Sequence, residues 1–174
     1  NRLEGSLRRV FEIGCGSGSF LNACRKAGRI VSGIDIARGA SEGIRKQYGI
    51  DVEEMDFDTF EIPLEHVGKY QLVIMRFCFE HLNDSFGALL KVNRLLSNTG
   101  GYVYILTHDG AQITRVSDVK RNYVMLGGHF PGEHIVIPSQ AGLKRLSSQA
   151  GLEVINCDVK PDGTLRALLA RRKE

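Results

Sequence analysis

Val10-Phe11-Glu12-Ile13-Gly14-Cys15-Gly16-Ser17-Gly18-Ser19-Phe20-Leu21 holds an apolar run with one acid inside it, then three glycines at alternate positions. A short apolar run halted by glycine reads as a buried strand over residues 10–13. From residue 18 to 27, Phe20, Leu21, Cys24 and Ala27 recur at helical spacing, and Gly28 supplies a residue to end the helix. The glycines between them let the backbone turn sharply and come close to a ligand, because they carry no side chain.

The same alternation continues outward. Residues 30–35 read as a second strand, followed by a helix over about 37–48 that Gly49 stops. Residues 51–55 form a short third strand and 71–75 a fourth. Asp84 caps a helix carrying Phe86, Leu89, Leu90 and Leu96, which Asn98-Thr99-Gly100-Gly101 ends. Residues 102–107 alternate large apolar and aromatic side chains as a fifth strand. Ser139 caps a helix with Leu143, Leu146 and Ala150 on one face, and Gly151 closes it. Two further strands, 152–158 and 165–170, flank the turn Lys160-Pro161-Asp162-Gly163.

Strands and helices that alternate through short connections imply an α/β fold with a doubly wound, mostly parallel sheet covered on both faces. The last two strands are joined too tightly for anything but an antiparallel pair, so the sheet is mixed at one edge. Residues 108–138 show little periodicity, and a stretch of that length inside a domain usually serves function as a lid or substrate-binding segment. No repeat or boundary divides the chain, which reads as one domain over 1–174. It begins at Asn1 with a strand almost at once, so covering N-terminal helices are expected to be absent from this stretch.

The composition is that of a folded protein, 43% hydrophobic and 25% charged over 174 residues. A net charge of +3, scattered along the chain, argues against a nucleic-acid partner. Cys15, Cys24, Cys78 and Cys157 make no Cys-x-x-Cys pair, so a reduced cytoplasmic setting without a zinc site is expected. No apolar run approaches the ~20 residues that span a bilayer, so no membrane partner is expected. The oligomeric state is not encoded in any recognisable pattern.

In a sheet of this kind ligands bind beyond the C-terminal strand ends, where strand order reverses. Three details there distinguish the ligand. The glycines are spaced Gly14-x-Gly16-x-Gly18, with Ser19 where a dinucleotide fingerprint would have its third glycine. Glu12 precedes them, and a carboxylate there disfavours a pyrophosphate and suits a ligand with a cationic amino-acid end. Asp35 ends the second strand, where it can accept from ribose hydroxyls, and Asp56 follows the third, where it can accept from an adenine amino group. Phe57 can offer its backbone N–H to the ring. Each acid taken alone reads equally well as a cap of a turn; the ordered set does not.

These residues resemble the class I S-adenosylmethionine-dependent methyltransferases, in their broad small-molecule group. VFEIGCGSGSFL is similar to the family's first motif, GID to its second-strand acid, and MDF to its adenine-contact motif. QLVIMRFCFEHLND resembles the fourth-strand segment, LLSNTGGYVYIL the helix and strand that follow, and GEHIVIPSQAGLKRLSSQAGLEV the late His-containing stretch and helix. The resemblance implies a Rossmann-like seven-stranded sheet with its last strand inserted antiparallel, and S-adenosylmethionine bound across the strand ends, leaving as S-adenosylhomocysteine. Gly14, Cys15 and Gly16 would line its methionine end, with Glu12 and Gly18 completing the loop. Asp35 would hold the ribose, Ile36 would pack on the adenine, and Asp56 and Phe57 would meet the adenine edge. Arg76 falls where the family often has a small or polar residue. It reads either as a contact to a carboxylate of cofactor or substrate, or as a surface ion pair.

The expected activity is methyl transfer to a small-molecule substrate, with oxygen the leading acceptor atom and carbon or nitrogen as alternatives. Sulfonium methyl transfer is an in-line displacement, so positioning supplies much of the catalysis; a hydroxyl acceptor gains further from a base, most often imidazole. His81 and His134 are the candidates, His81 either as base or as an ordering residue. His108 ends the fifth strand on the same side, and His66 reads as part of a polar loop. A metal site from His129, Glu133 and His134 lacks a recognised geometry, so none is expected. Cys15 and Cys78 lack a Pro-Cys context and read as buried small hydrophobes. Tyr123, Met125, Leu126 and Phe130 read either as a loop anchor or as an acceptor wall. Two other readings remain: a methyltransferase-like module that has lost catalysis, and an NAD-binding oxidoreductase.

Overall fold

The computed structural model describes residues 7–111 and 134–172. Its strands are β1 (Arg9–Ile13), β2 (Ile30–Asp35), β3 (Glu53–Glu54), β4 (Leu72–Arg76), β5 (Tyr102–His108), β6 (Leu152–Val159) and β7 (Thr164–Arg171). The described helices are α1 (Ser19–Lys26), α2 (Ala40–Tyr48), α3 (Ser85–Leu95) and α4 (Gln140–Gln149), with single 3-10 turns at Leu64–His66 and Phe79–His81. The strands join in the order β3-β2-β1-β4-β5-β7-β6. All neighbours are parallel except around β7, which runs antiparallel to both β5 and β6. The expected mixed edge is therefore present, and the short Lys160–Gly163 turn is its cause: a connection that brief reverses the chain and leaves room for no crossover helix.

Sequence periodicity located the elements and misplaced some ends. The helix expected from residue 37 starts at Ala40, because Gly39 first takes a left-handed φ of 77° and donates its N–H to Glu54 Oε2 at 2.8 Å. The third strand shrinks to two residues at the sheet edge. On α3, Asp84 caps as expected, accepting from the Gly87 N–H at 2.8 Å. Its buried face, however, is Ser85, Ala88, Leu89, Val92 and Leu95, while Phe86 and Leu90 are exposed. Ala88, Leu89, Val92 and Leu95 fall within one arc of the helix, and Leu90, about 100° further round from Leu89, falls outside it.

Two apolar clusters cover the sheet. The larger joins Phe11, Ile34, Val73, Met75, Val103 and Ile105 with α3 and with Leu143 of α4. The smaller joins Cys15, Leu21 of α1 and Ile44 of α2, with Val31 packed against it. Val31 and Ile34 lie an odd number of residues apart on β2, so they point to opposite faces. Residues from one strand thus feed both layers, as a doubly wound sheet requires. His66, expected as a plain loop residue, shares a 2.9 Å hydrogen bond with the Tyr70 hydroxyl and sets its ring edge-on to Phe11. Its role is packing.

Candidate functional site

β1 pairs with β2 on one side and β4 on the other, so strand order reverses at β1 and a crevice opens beyond its C-terminal end. A cavity of about 540 Å³ lies there. Gly14, Cys15, Gly16, Asp35, Ile36, Asp56, Phe57, Arg76 and His81 all contribute to its wall. These come from five separate places in the sequence, and the strand ends bring them together.

The glycine turn is held by a short network. Gly14 N–H and Cys15 N–H both donate to Ile34 O, at 2.9 and 3.3 Å. Asp35 accepts Gly16 N–H on Oδ2 at 2.6 Å and Ala37 N–H on Oδ1 at 2.8 Å. A carboxylate offers about four acceptor positions, so two stay available toward the cavity. Gly14 has a φ of 70°, and a Cβ there would meet Cys78 Sγ at 2.7 Å. Gly18, with a φ of 69°, would place a Cβ at 2.8 Å from Ile44. Gly18 therefore serves packing behind the cavity wall, and the space that Gly14 leaves is filled by a thiol.

Glu12 departs from the simple expectation of a carboxylate presented to the ligand. It is 0% exposed and lies behind the wall. Arg76 donates from Nε to Glu12 Oε1 at 2.9 Å and closes an ion pair through Nη2 at 2.8 Å, while its guanidinium lies over the Phe20 ring at 4.6 Å. Glu12 Oε2 is buried without a hydrogen bond. Burial pushes the Glu12 carboxyl above its usual range, Arg76 pulls it down, and nearby Asp35 raises it again, with a net upward shift. Arg76 thus forms neither a surface ion pair nor a free cation; its first partner is the buried acid of the loop.

On the side expected to meet the adenine, Ile36 is 67% exposed. Phe57 is buried against Phe60, and its carbonyl accepts from Lys91 Nζ at 2.9 Å. Asp56 Oδ1 accepts from Asp58 N–H at 2.9 Å. Sequence reading missed Asp58 and Asn83, which also line the cavity. Asn83 donates its backbone N–H and its side-chain amide to Asp58 Oδ2, at 2.9 and 2.8 Å. Burial raises the Asp58 pKa, but these hydrogen bonds and Lys91 outweigh it and hold the carboxyl below its usual value. The Asx-type spacing of Asp56-Phe57-Asp58 was the available signal. The lining fits an adenosyl ligand: paired acids for its hydroxyls and amino group, an open Ile36 for its ring, and bare backbone at Gly16.

Beyond β4 lies the other half. Phe77 has a φ of 50°, a left-handed value rare for a bulky residue, and is 47% exposed in the cavity wall. His81 and His134 meet with ring centroids 4.9 Å apart, and His108 lies 5.2 Å from His134. Glu80, which sequence reading did not single out, is 0% exposed beneath them, with Oε2 accepting the Thr107 hydroxyl at 2.8 Å. Glu80, His81 and His134 are grouped as ion ligands would be, whereas the previously weighed His129 and Glu133 lie outside the described residues. So do Tyr123, Met125, Leu126 and Phe130, and most of the 108–138 segment. Its described flanks are tied down: Gly110 N–H donates to Pro138 O at 3.0 Å, and Ile135 N–H to Glu80 O at 2.8 Å. Cys15 and Cys78 both line the cavity, and burial pushes each thiol up to about 12. They are inert small groups there. All four cysteines are free. No described helix is long and apolar enough to cross a membrane.

A family model described as a methyltransferase domain matches residues 2–156. A ubiquinone biosynthesis O-methyltransferase of Bordetella avium is 31% identical over 160 residues, covering 87% of this chain and 65% of that protein. The chain thus spans somewhat less than two thirds of that relative's length. A solved S-adenosylmethionine-dependent methyltransferase from Mesorhizobium loti superposes with a TM-score of 0.75 at 16% identity, covering 94% of this chain and 90% of that one. One from Aquifex aeolicus gives 0.70 at 15% identity, covering 98% and 87%. The likeness of these structures is one of fold, and the family match adds identity to it: the chain belongs to the class I S-adenosylmethionine-dependent methyltransferases, and S-adenosylmethionine is the cofactor of its family.

Proposed function

We propose that this domain transfers a methyl group from S-adenosylmethionine to an oxygen of a small-molecule acceptor, in a reducing intracellular compartment. The observation that carries the reading is the convergence of Asp35, Ile36, Asp56 and the Gly14–Gly16 turn with His81 on one cavity at the strand-order reversal. When bound, the cofactor supplies a methyl already activated by its sulfonium. What the chain must add is orientation, and well-oriented reactants gain ~7–11 kcal/mol in barrier.

Asp35 receives the ribose hydroxyls, its geometry fixed by the Gly16 and Ala37 N–H groups. Ile36 covers the adenine, and Asp56 and the Phe57 N–H take its edge. Gly14, Cys15 and Gly16 line the methionine end. Glu12, Gly18 and Arg76 act as positioning residues for that loop: Arg76 neutralises Glu12 and presents the rest of its guanidinium to the cavity. His81 and His134 lie on the acceptor side, and an imidazole there takes the proton that the acceptor hydroxyl loses. The Bordetella avium relative is an O-methyltransferase by name, which supports oxygen as the acceptor atom.

Thermal denaturation tests the donor half. Adenosylmethionine and adenosylhomocysteine should raise Tm and NAD should not; the reverse result would sink the reading. A panel of hydroxylated small molecules tests the acceptor half, with His81→Ala expected to lower kcat by about 10²–10⁴-fold at unchanged adenosylhomocysteine affinity. Donor binding with no turnover on any acceptor would point instead to an inactive module.

A further inference from the structure

Glu80 is the most deeply buried acid on the acceptor side, and its surroundings leave part of it uncompensated. Oε2 accepts the Thr107 hydroxyl, but Oε1 is buried with no hydrogen-bond partner among the described residues. His108 Nε2 lies 3.8 Å from Oε1, beyond hydrogen-bond distance. A buried carboxylate oxygen without a donor is costly, and a cation within reach offsets that cost. Two more imidazoles face the same spot. One ligand atom from each of Glu80, His81 and His134 lies within 4.8 Å of the others.

The backbone builds this meeting point. His81 follows Glu80 in the 3-10 turn after β4. The N–H groups of Ile135 and Val136 donate to Glu80 O at 2.8 and 3.1 Å, which holds the segment carrying His134 against that turn. Residues 54 positions apart in sequence are thereby locked in register by main-chain bonds rather than by chance side-chain contact.

We infer that Glu80, His81 and His134 form a binding site for a divalent transition-metal ion, Zn²⁺ foremost. Two imidazoles and one carboxylate suit zinc and its neighbours, whereas Mg²⁺ and Ca²⁺ prefer all-oxygen sets. Zinc bonds of about 2.1 Å place tetrahedral ligand atoms about 3.4 Å apart, so the observed grouping closes with small rotations of the histidine side chains. His108, beside Glu80 Oε1, is a supporting neighbour of the kind that orients metal-bound carboxylates. Three protein ligands leave a coordination position open, and His81 is part of the cavity wall. An acceptor hydroxyl bound there would lose its proton to solvent more readily, so with the ion in place His81 and His134 serve as ligands and not as the proton acceptor. That last step rests on the methyl-transfer reading; ion binding does not.

The test uses the whole 174-residue chain stripped with a chelator. Calorimetry with Zn²⁺ should give one ion per chain, and Co²⁺ should give the visible absorption of a four- or five-coordinate ion. His81→Ala and His134→Ala should each weaken Zn²⁺ binding by roughly tenfold or more, and Glu80→Gln at least as much. If Glu80→Gln fails to fold, the two histidine variants decide the matter. No saturable binding, or binding unchanged in both histidine variants, overturns the site. The adenosylhomocysteine thermal shift of the stripped protein, measured separately, tells failure of the metal site from failure of the donor site.

Discussion

Glu12 and Glu80 are both fully buried acids near C-terminal strand ends, yet they are compensated in opposite ways. Glu12, inside β1, has a permanent cation: Arg76 reaches it from β4 and is itself braced on Phe20. Glu80, after β4, has a hydroxyl hydrogen bond and three imidazoles close by, with no permanent cation paired to it among the described residues. The β1 end of the cavity is thus built around a fixed charge pair, and the β4 end around a buried carboxylate beside imidazoles. In the proposed methyl transfer the first would hold the donor and the second would face the acceptor.

The largest expected effect comes from breaking the fixed pair. Arg76→Ala leaves Glu12 buried and unpaired, which should cost about 3–5 kcal/mol in urea denaturation at neutral pH. The sign of its pH dependence follows from the Glu12 shift. A carboxyl whose folded pKa is raised binds its proton more tightly in the folded state, so its ionisation costs stability as pH rises. The Arg76→Ala deficit should therefore shrink as pH falls into the carboxylate range. A deficit independent of pH would show that Arg76 acts through packing on Phe20 instead.

Next in size is Thr107→Val, which removes the hydrogen bond to Glu80 and should cost about 1–3 kcal/mol. Added Zn²⁺ should narrow the gap between Thr107→Val and the parent protein, and leave the gap for Arg76→Ala unchanged. Asp35→Ala removes an acceptor for two backbone N–H groups and should cost about 1–2 kcal/mol, with its main effect on the ligand: the adenosylhomocysteine thermal shift should vanish while the circular dichroism spectrum stays native. The smallest effect is chemical. With thiols pushed up to about 12, Cys15 and Cys78 should resist iodoacetamide at pH 8 in the folded protein, read by mass spectrometry of the labelled peptides. Rapid labelling of either would contradict the inert role assigned to them.

Much of the donor half was legible from local sequence. The Gly14–Gly18 spacing, Asp35 and Asp56 each sit at a strand end, and a strand end is a local event marked by an apolar run meeting a turn residue. Their convergence follows from the parallel sheet alone. The acceptor half was less legible. His81 and His134 could be named, but nothing in their spacing announced that the irregular 134–138 segment would bond to the backbone of Glu80. Phe86 and Leu90 misled for a related reason: hydrophobic spacing marks a helix without saying which neighbour it packs on.

The sequence by itself determined the order of elements, the mixed edge and the strand-end acids Asp35 and Asp56 that line the cavity, because periodicity, turn length and strand-end chemistry act over a few residues. Only the tertiary structure decided that Glu12 is buried and answered by Arg76 rather than offered to the ligand, and that Glu80 lies at the centre of the histidines. Burial and charge pairing depend on what the rest of the chain brings alongside, across 64 residues for Arg76 and Glu12. No local pattern carries that information.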